Sequence, residues 1–110
     1  MELGRFEMCL NVRDPAASRA FYETLGFAAV GGSSSDAYLI VRNEAVSVGL
    51  YQGHIGENLL NFRGGDVFAI AAALEAAGLT LETPVEVEPD GTHGATLRDP
   101  DGNLIYFNTP

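Results

Sequence analysis

Any imidazole chemistry in this chain must use His54 or His93, the only two histidines among its 110 residues, and histidine is the side chain whose charge changes near neutral pH. Both fall in glycine-bearing segments, "YQGHIG" and "DGTHGA", expected as loops at the mouth of a site. The single cysteine, Cys9, would need a base or cation beside it to become a nucleophile. The period of a strand instead places it on one face with Glu7 and Asn11, because alternate residues share a face. Cys9 is therefore expected to pack beside a carboxylate. Glu7 itself can serve as a metal ligand, a general base or the anchor for a cation, since a buried carboxylate needs a partner. Glu57 follows a glycine-rich connection, where an exposed loop carboxylate is the plainer expectation. Tyr38, Tyr51 and Tyr106 offer flat faces for an aromatic or cationic ligand. No Ser-His-Asp arrangement, zinc-type CxxC pair or phosphate-binding glycine loop occurs.

The elements that must position these residues are well punctuated. In "FEMCLNVRDPAASRAFYETLGF", Phe6, Met8, Leu10 and Val12 alternate with Glu7, Cys9, Asn11 and Arg13, the pattern of a half-buried strand. Asp14 then caps a helix with Pro15 in its first turn, where a missing N–H costs nothing. Ala17, Phe21 and Leu25 are predicted to form its buried face, and Gly26 its stop. Gly31-Gly32-Ser33 and Arg42-Asn43-Glu44 divide the next stretch into three short strands of an antiparallel meander.

The second half repeats this order. "LLNFRGGD" echoes "CLNVRDP" fifty residues earlier, which aligns Asn61 with Asn11 and Arg63 with Arg13. Asp66 caps "VFAIAAALEAAG", whose Val67, Ile70, Leu74 and Ala77 keep a helical spacing. The run from Val48 to Tyr51 aligns with Ile105 to Asn108, after a turn in which Pro100 presets φ and Gly102 takes the left-handed conformation. The fold class is therefore α+β. Two βαβββ modules are expected to form a curved mixed sheet with a concave trough, their helices on the outer face. Phe62 and Phe107 are predicted on the core side.

Composition narrows the function classes. Apolar residues make up 46% of the chain, too many for a disordered segment. Six basic residues stand against fifteen acidic ones, a net charge of −9, which repels phosphate backbones and argues against a nucleic-acid partner. The same field favours a cationic ligand. The N-terminus lacks a basic region followed by an apolar run, and the apolar helix is too short to span a bilayer. No membrane association and a cytoplasmic location are expected, in line with one cysteine and no intramolecular disulfide.

The strand with "NVRDPAASRAFYETLGF" and the terminal "RDPDGNLIYF" together resemble the vicinal oxygen chelate (VOC) superfamily, which includes glyoxalase I, bleomycin-resistance proteins and extradiol dioxygenases. The resemblance implies one glyoxalase/bleomycin-resistance-like domain over residues 1–110, with module one at about 4–52 and module two at about 57–110. In metal-dependent members, side chains from the first and last strands of each module hold a divalent cation with positions left open for substrate oxygens. By the repeat register these positions fall at Glu7 and Gly49 in the first module and Glu57 and Tyr106 in the second. Gly49 has no side chain and a neutral tyrosine is a poor ligand for a hard cation, so the chelate is expected to be broken. Gly49 is expected instead to leave space opposite Tyr106.

The first expected function is therefore a VOC-type protein that binds a small molecule, cationic or aromatic, in its trough without the full metal site. Glu7, Cys9, Asn11, Tyr51 and Tyr106 are its ligand-binding residues. The alternative is a divalent-metal-dependent lyase, isomerase or dioxygenase whose rebuilt ligand set draws on Glu7, Glu57 and a loop histidine; a divalent metal is thus the cofactor left open. A third is a non-catalytic interaction module. A homodimer is the expected assembly.

Overall fold

The computed structural model describes residues 1–110. The chain runs β1 (Gly4–Asn11), α1 (Pro15–Thr24), β2 (Ala28–Ser33), β3 (Tyr38–Asn43), β4 (Val46–Tyr51), β5 (Leu59–Gly64), α2 (Val67–Ala76), β6 (Thr83–Val87), β7 (His93–Arg98) and β8 (Leu104–Asn108). This is βαβββ twice, an α+β chain. It divides into an N-terminal unit, Glu7–Asn58, and a C-terminal unit formed by Leu59–Pro110 with the first six residues. Strand order is β2-β3-β4-β1 in the first and β5-β8-β7-β6 in the second. All eight strands belong to one mixed sheet: β1 runs parallel to β4 and β5 to β8, while β2–β3, β3–β4, β6–β7 and β7–β8 are antiparallel.

Both helices begin where the sequence predicts. The Asp14 carboxylate accepts the N–H groups of Ala16 and Ala17 at 3.0 and 3.3 Å, and Asp66 accepts that of Ala69 at 3.1 Å. Each satisfies donors that the first helical turn leaves unpaired. Gly26, at φ +92°, ends the first helix in a conformation only glycine adopts freely.

In the N-terminal unit, Leu39, Val41, Val48 and Leu50 form the core, with Leu10, Val12, Tyr22 and Phe27 packed against it. In the C-terminal unit the core is Ile70, Leu97 and Phe107, covered by Leu3, Phe62, Leu74, Leu81 and Ile105. Phe62 stacks on Phe107 with ring centroids 5.8 Å apart. Each fully buried side chain of this size contributes roughly 1.5–3 kcal/mol over its exposed state. The intervening strand residues therefore point away from the helices.

Two expectations are corrected. Phe21 is 61% exposed and Leu25 54%, so the Ala17-Phe21-Leu25 stripe is not the packed face of α1. That face is Pro15, Ser18 and Tyr22, the buried and half-buried positions of the helix. The repeat register also slips. Leu10 lies opposite Leu50 and Phe62 opposite Phe107, both pairs facing their cores, and the two helix caps are Asp14 and Asp66. Leu10 thus corresponds to Phe62, Cys9 to Asn61, Asn11 to Arg63, and Glu7 to Leu59. The pairing of Asn11 with Asn61 is two residues out. Strand alternation cannot detect this, because a shift of two leaves every side chain on its original face.

Candidate functional site

On the face of the N-terminal unit turned away from α1, the polar groups are satisfied by one another. Glu7 Oε1 accepts the Tyr51 hydroxyl at 3.0 Å, and the Cys9 thiol lies 3.7 Å from the same oxygen. The Tyr51 ring stacks on Tyr38, centroids 5.9 Å apart and planes within 9°. His54 stands edge-on to both rings, and its Nε2 lies 3.1 Å from the Asp36 carbonyl. Of the predicted residues, Glu7, Cys9 and Tyr51 come together here, with His54 beside the tyrosines. Asn11 is exposed, and its backbone N–H donates to Asn58 Oδ1 at 2.8 Å.

Gly49 does not leave room for a ligand. A Cβ there would run into the Glu7 carboxylate and the Tyr51 ring, so its missing side chain is what lets those two groups meet. Cys9 is 3% exposed and lies beside the Glu7 carboxylate.

The corresponding face of the C-terminal unit is open. It carries a cavity of about 350 Å³ bordered by Arg63, Glu86, Glu88, Thr96, Tyr106 and Asn108. Two of these residues each carry a buried side-chain atom without a hydrogen-bond partner, Arg63 Nε and Asn108 Oδ1. Asn61, opposite Tyr106 in the ladder and 1% exposed, has a third such atom in its Oδ1. Because native folds pair nearly all buried polar groups, three orphans on adjacent strand positions are unusual.

Tyr106 forms one wall, where its ring covers Gly94. A Cβ on that glycine would lie 2.5 Å from the ring and 2.7 Å from the hydroxyl. Burial pushes the Tyr106 phenol above its ordinary value; the Arg63 guanidinium opposes that, and the Glu88 and Glu86 carboxylates add to it. At neutral pH the group is an un-ionised donor.

The remaining candidates fall elsewhere. His93 borders the cavity, yet its ring lies 4.8 Å from Phe68 on α2 and its Nδ1 is 3.0 Å from the Gly91 carbonyl. Glu57 sits exposed in the connection before β5, and Leu59 takes the strand position expected for it. The four positions implied for a metal are therefore Glu7, Gly49, Leu59 and Tyr106. One carboxylate, a bare backbone, a hydrocarbon and a neutral phenol do not fit a divalent cation. No three His, Cys, Asp or Glu side chains gather elsewhere to replace them.

Sequence reasoning missed Asn61, Arg63, Gly94, Thr96, Asn108, Glu86 and Glu88. Counting back from the helix cap Asp66, rather than matching one asparagine to another, would have matched Arg63 with Asn11 and Asn61 with Cys9, two of the expected site positions.

No family model matches the chain, and no curated protein matches it. Solved structures do. A glyoxalase/bleomycin resistance protein/dioxygenase superfamily member from Vibrio splendidus 12B01 superimposes with a TM-score of 0.75 at 18% identity, covering 96% of this chain and 98% of that one. An NAD-dependent benzaldehyde dehydrogenase from Legionella pneumophila gives 0.77 at 18% identity, with 94% and 97% covered. A hypothetical protein from Bacillus halodurans C-125 gives 0.69 at 13% identity, with 99% and 94% covered. The chain has the fold of the glyoxalase/bleomycin resistance protein/dioxygenase, or VOC, superfamily. Likeness at this level of identity speaks for fold, and a fold does not carry an activity. No helix is long and apolar enough to cross a membrane.

Proposed function

We propose that this protein binds a small polar molecule in the cavity of its C-terminal unit, held by Arg63, Asn108 and Tyr106 without a divalent metal. The observation that carries this is that two residues lining the cavity, Arg63 and Asn108, each hold a buried polar atom with no partner, Nε and Oδ1. A buried donor or acceptor left unpaired costs about 1–3 kcal/mol, and more for a charged group. A domain whose net stability is only about 5–15 kcal/mol tolerates such groups where they serve something other than the fold. A ligand that supplies an acceptor to Arg63 and a donor to Asn108 relieves both.

Binding is favoured over turnover because neither acid–base candidate at the cavity, His93 or Tyr106, is poised for catalysis. The His93 ring is turned to Phe68, and the Tyr106 phenol holds its proton. Glu7, Cys9 and Tyr51, first expected to bind the ligand, satisfy one another in the N-terminal unit and serve its packing.

A fragment library screened by ligand-observed NMR against the whole protein tests this, alongside the Arg63→Met variant. Binders are expected to shift the resonances of Tyr106 and Asn108 and to be lost in Arg63→Met. The melting temperature of that variant should stay or rise, because an apolar side chain removes an unpaired buried group. A variant that melts several degrees lower and still binds would assign Arg63 to the fold and defeat the proposal.

A further inference from the structure

The cavity carries both signs of charge at separate places. Arg19 pairs with Glu23 and Arg98 with Glu82, whereas Arg63 has no ion pair and its Nε is buried and bare. Two carboxylates, Glu86 and Glu88, line the same cavity. Both are exposed and neither reaches salt-bridge distance of Arg63. The Tyr106 phenol feels the two groups in opposite senses, lowered by Arg63 and raised by Glu88 and Glu86. Between the charges lie the neutral Tyr106 ring and the bare acceptor Asn108 Oδ1.

Each simple ligand leaves part of this unanswered. A monoanion would compensate Arg63 but enter the field of Glu86, Glu88 and a chain of net charge −9. A monocation would suit the glutamates but face an uncompensated guanidinium. A neutral molecule would compensate neither.

Resting on the reading that the cavity holds a small molecule, we infer that its ligand is a zwitterion of the α-amino-acid class, with the carboxylate on Arg63 and the ammonium toward Asn108 Oδ1, Glu86 and Glu88. The planar guanidinium matches a carboxylate with two parallel hydrogen bonds. The ammonium brings the donors that Asn108 lacks and the positive charge that the glutamates attract. The ligand's side chain lies along the Tyr106 ring. A cavity of about 350 Å³ is within the usual range for small-molecule sites.

The test uses the intact protein and the twenty common L-amino acids, first by thermal shift and then by calorimetry. Each amino acid that binds is compared with its amide, which lacks the carboxylate, and its N-acetyl form, which lacks the ammonium. Each derivative is expected to bind about 10- to 100-fold more weakly, the loss of one charge-assisted contact. Arg63→Met should bind the amino acid no better than the amide, and Arg63→Lys should recover part of the difference. Glu86→Gln with Glu88→Gln should narrow the gap between the amino acid and its N-acetyl form. An amide or N-acetyl form that binds as tightly as the parent overturns the inference. So does a screen in which library fragments occupy the cavity and no amino acid does, although the cavity then still binds small molecules. If neither set binds, the functional proposal falls as well.

Discussion

The faces turned away from α1 and α2 were built on the same plan and have opposite characters. In the N-terminal unit one cross-strand row is Asn11, Tyr51 and Tyr38; its counterpart in the C-terminal unit is Arg63, Asn108 and Gly94. The next row is Cys9, Gly49 and Ile40 in the first and Asn61, Tyr106 and Thr96 in the second. Two stacked tyrosines thus become an asparagine and a glycine, and one glycine becomes a tyrosine. The first arrangement closes its face with rings and pairs its carboxylate. The second leaves a hollow edged by polar atoms with nothing to bond. A duplicated scaffold lets one copy carry stability while the other gives some up, which is how binding sites are commonly sustained.

The comparison breaks most visibly at Tyr51. Tyr51→Asn installs the residue of the C-terminal row, removing the stack on Tyr38 and the hydrogen bond to Glu7. It should cost about 3 kcal/mol, a fall of roughly 10–20 °C in melting temperature for a chain of this size. Asn108→Tyr, the reverse exchange, should change stability little and abolish ligand binding by filling the hollow. Calorimetric unfolding of both variants checks this; equal losses in the two units would show the faces to be equivalent.

A smaller effect is expected at Gly94, whose backbone is ordinary but whose added methyl would meet the Tyr106 ring. Gly94→Ala should displace that ring, costing about 1–2 kcal/mol and weakening binding about tenfold. Unchanged affinity would mean that Tyr106 is not a working wall of the cavity.

The subtlest distinction is the ionisation of Tyr106. Its folded pKa is raised by burial, so its contribution to stability is complete below the unfolded value of about 10. That contribution is lost as pH climbs from there through the folded value. Alkaline difference absorbance of wild type against Tyr106→Phe should show a tyrosine titrating above 10. Arg63→Met should move it higher, since the guanidinium opposes the rise. Ionisation at or below 10 would indicate a solvated ring.

Much of the fold was legible because its signals are local. Asp14 and Asp66 cap helices by reaching N–H groups two or three residues on. The turn at Asp99–Asn103 is equally self-contained. The Asp99 carboxylate accepts the N–H groups of Asp101 and Asn103 at 3.0 and 2.8 Å and the Asn103 side chain at 2.7 Å, and Gly102 takes φ +89°. Those bonds, led by the Asn103 side chain, hold the Asp99 carboxyl below its usual range. The packed face of α1 was misread because Ala17, Phe21 and Leu25 are more apolar than Ser18 and Tyr22, and only the sheet beneath decides which stripe is covered. The site was misread by two residues, a slip to which alternation is blind.

The two βαβββ modules, the helix starts and stops, and which strand residues share a face can all be read from local stretches of the chain. Each of these follows from hydrogen bonds and steric preferences within a few residues along the chain. Tertiary structure decided that Leu59, not Glu57, stands opposite the last strand, that Glu7 is claimed by Tyr51, that His93 turns to Phe68, and that Arg63 and Asn108 line a hollow with no partners. Those outcomes depend on register and on which side chains from separate strands compete for the same space, and a competition between distant residues leaves no periodic trace in the chain.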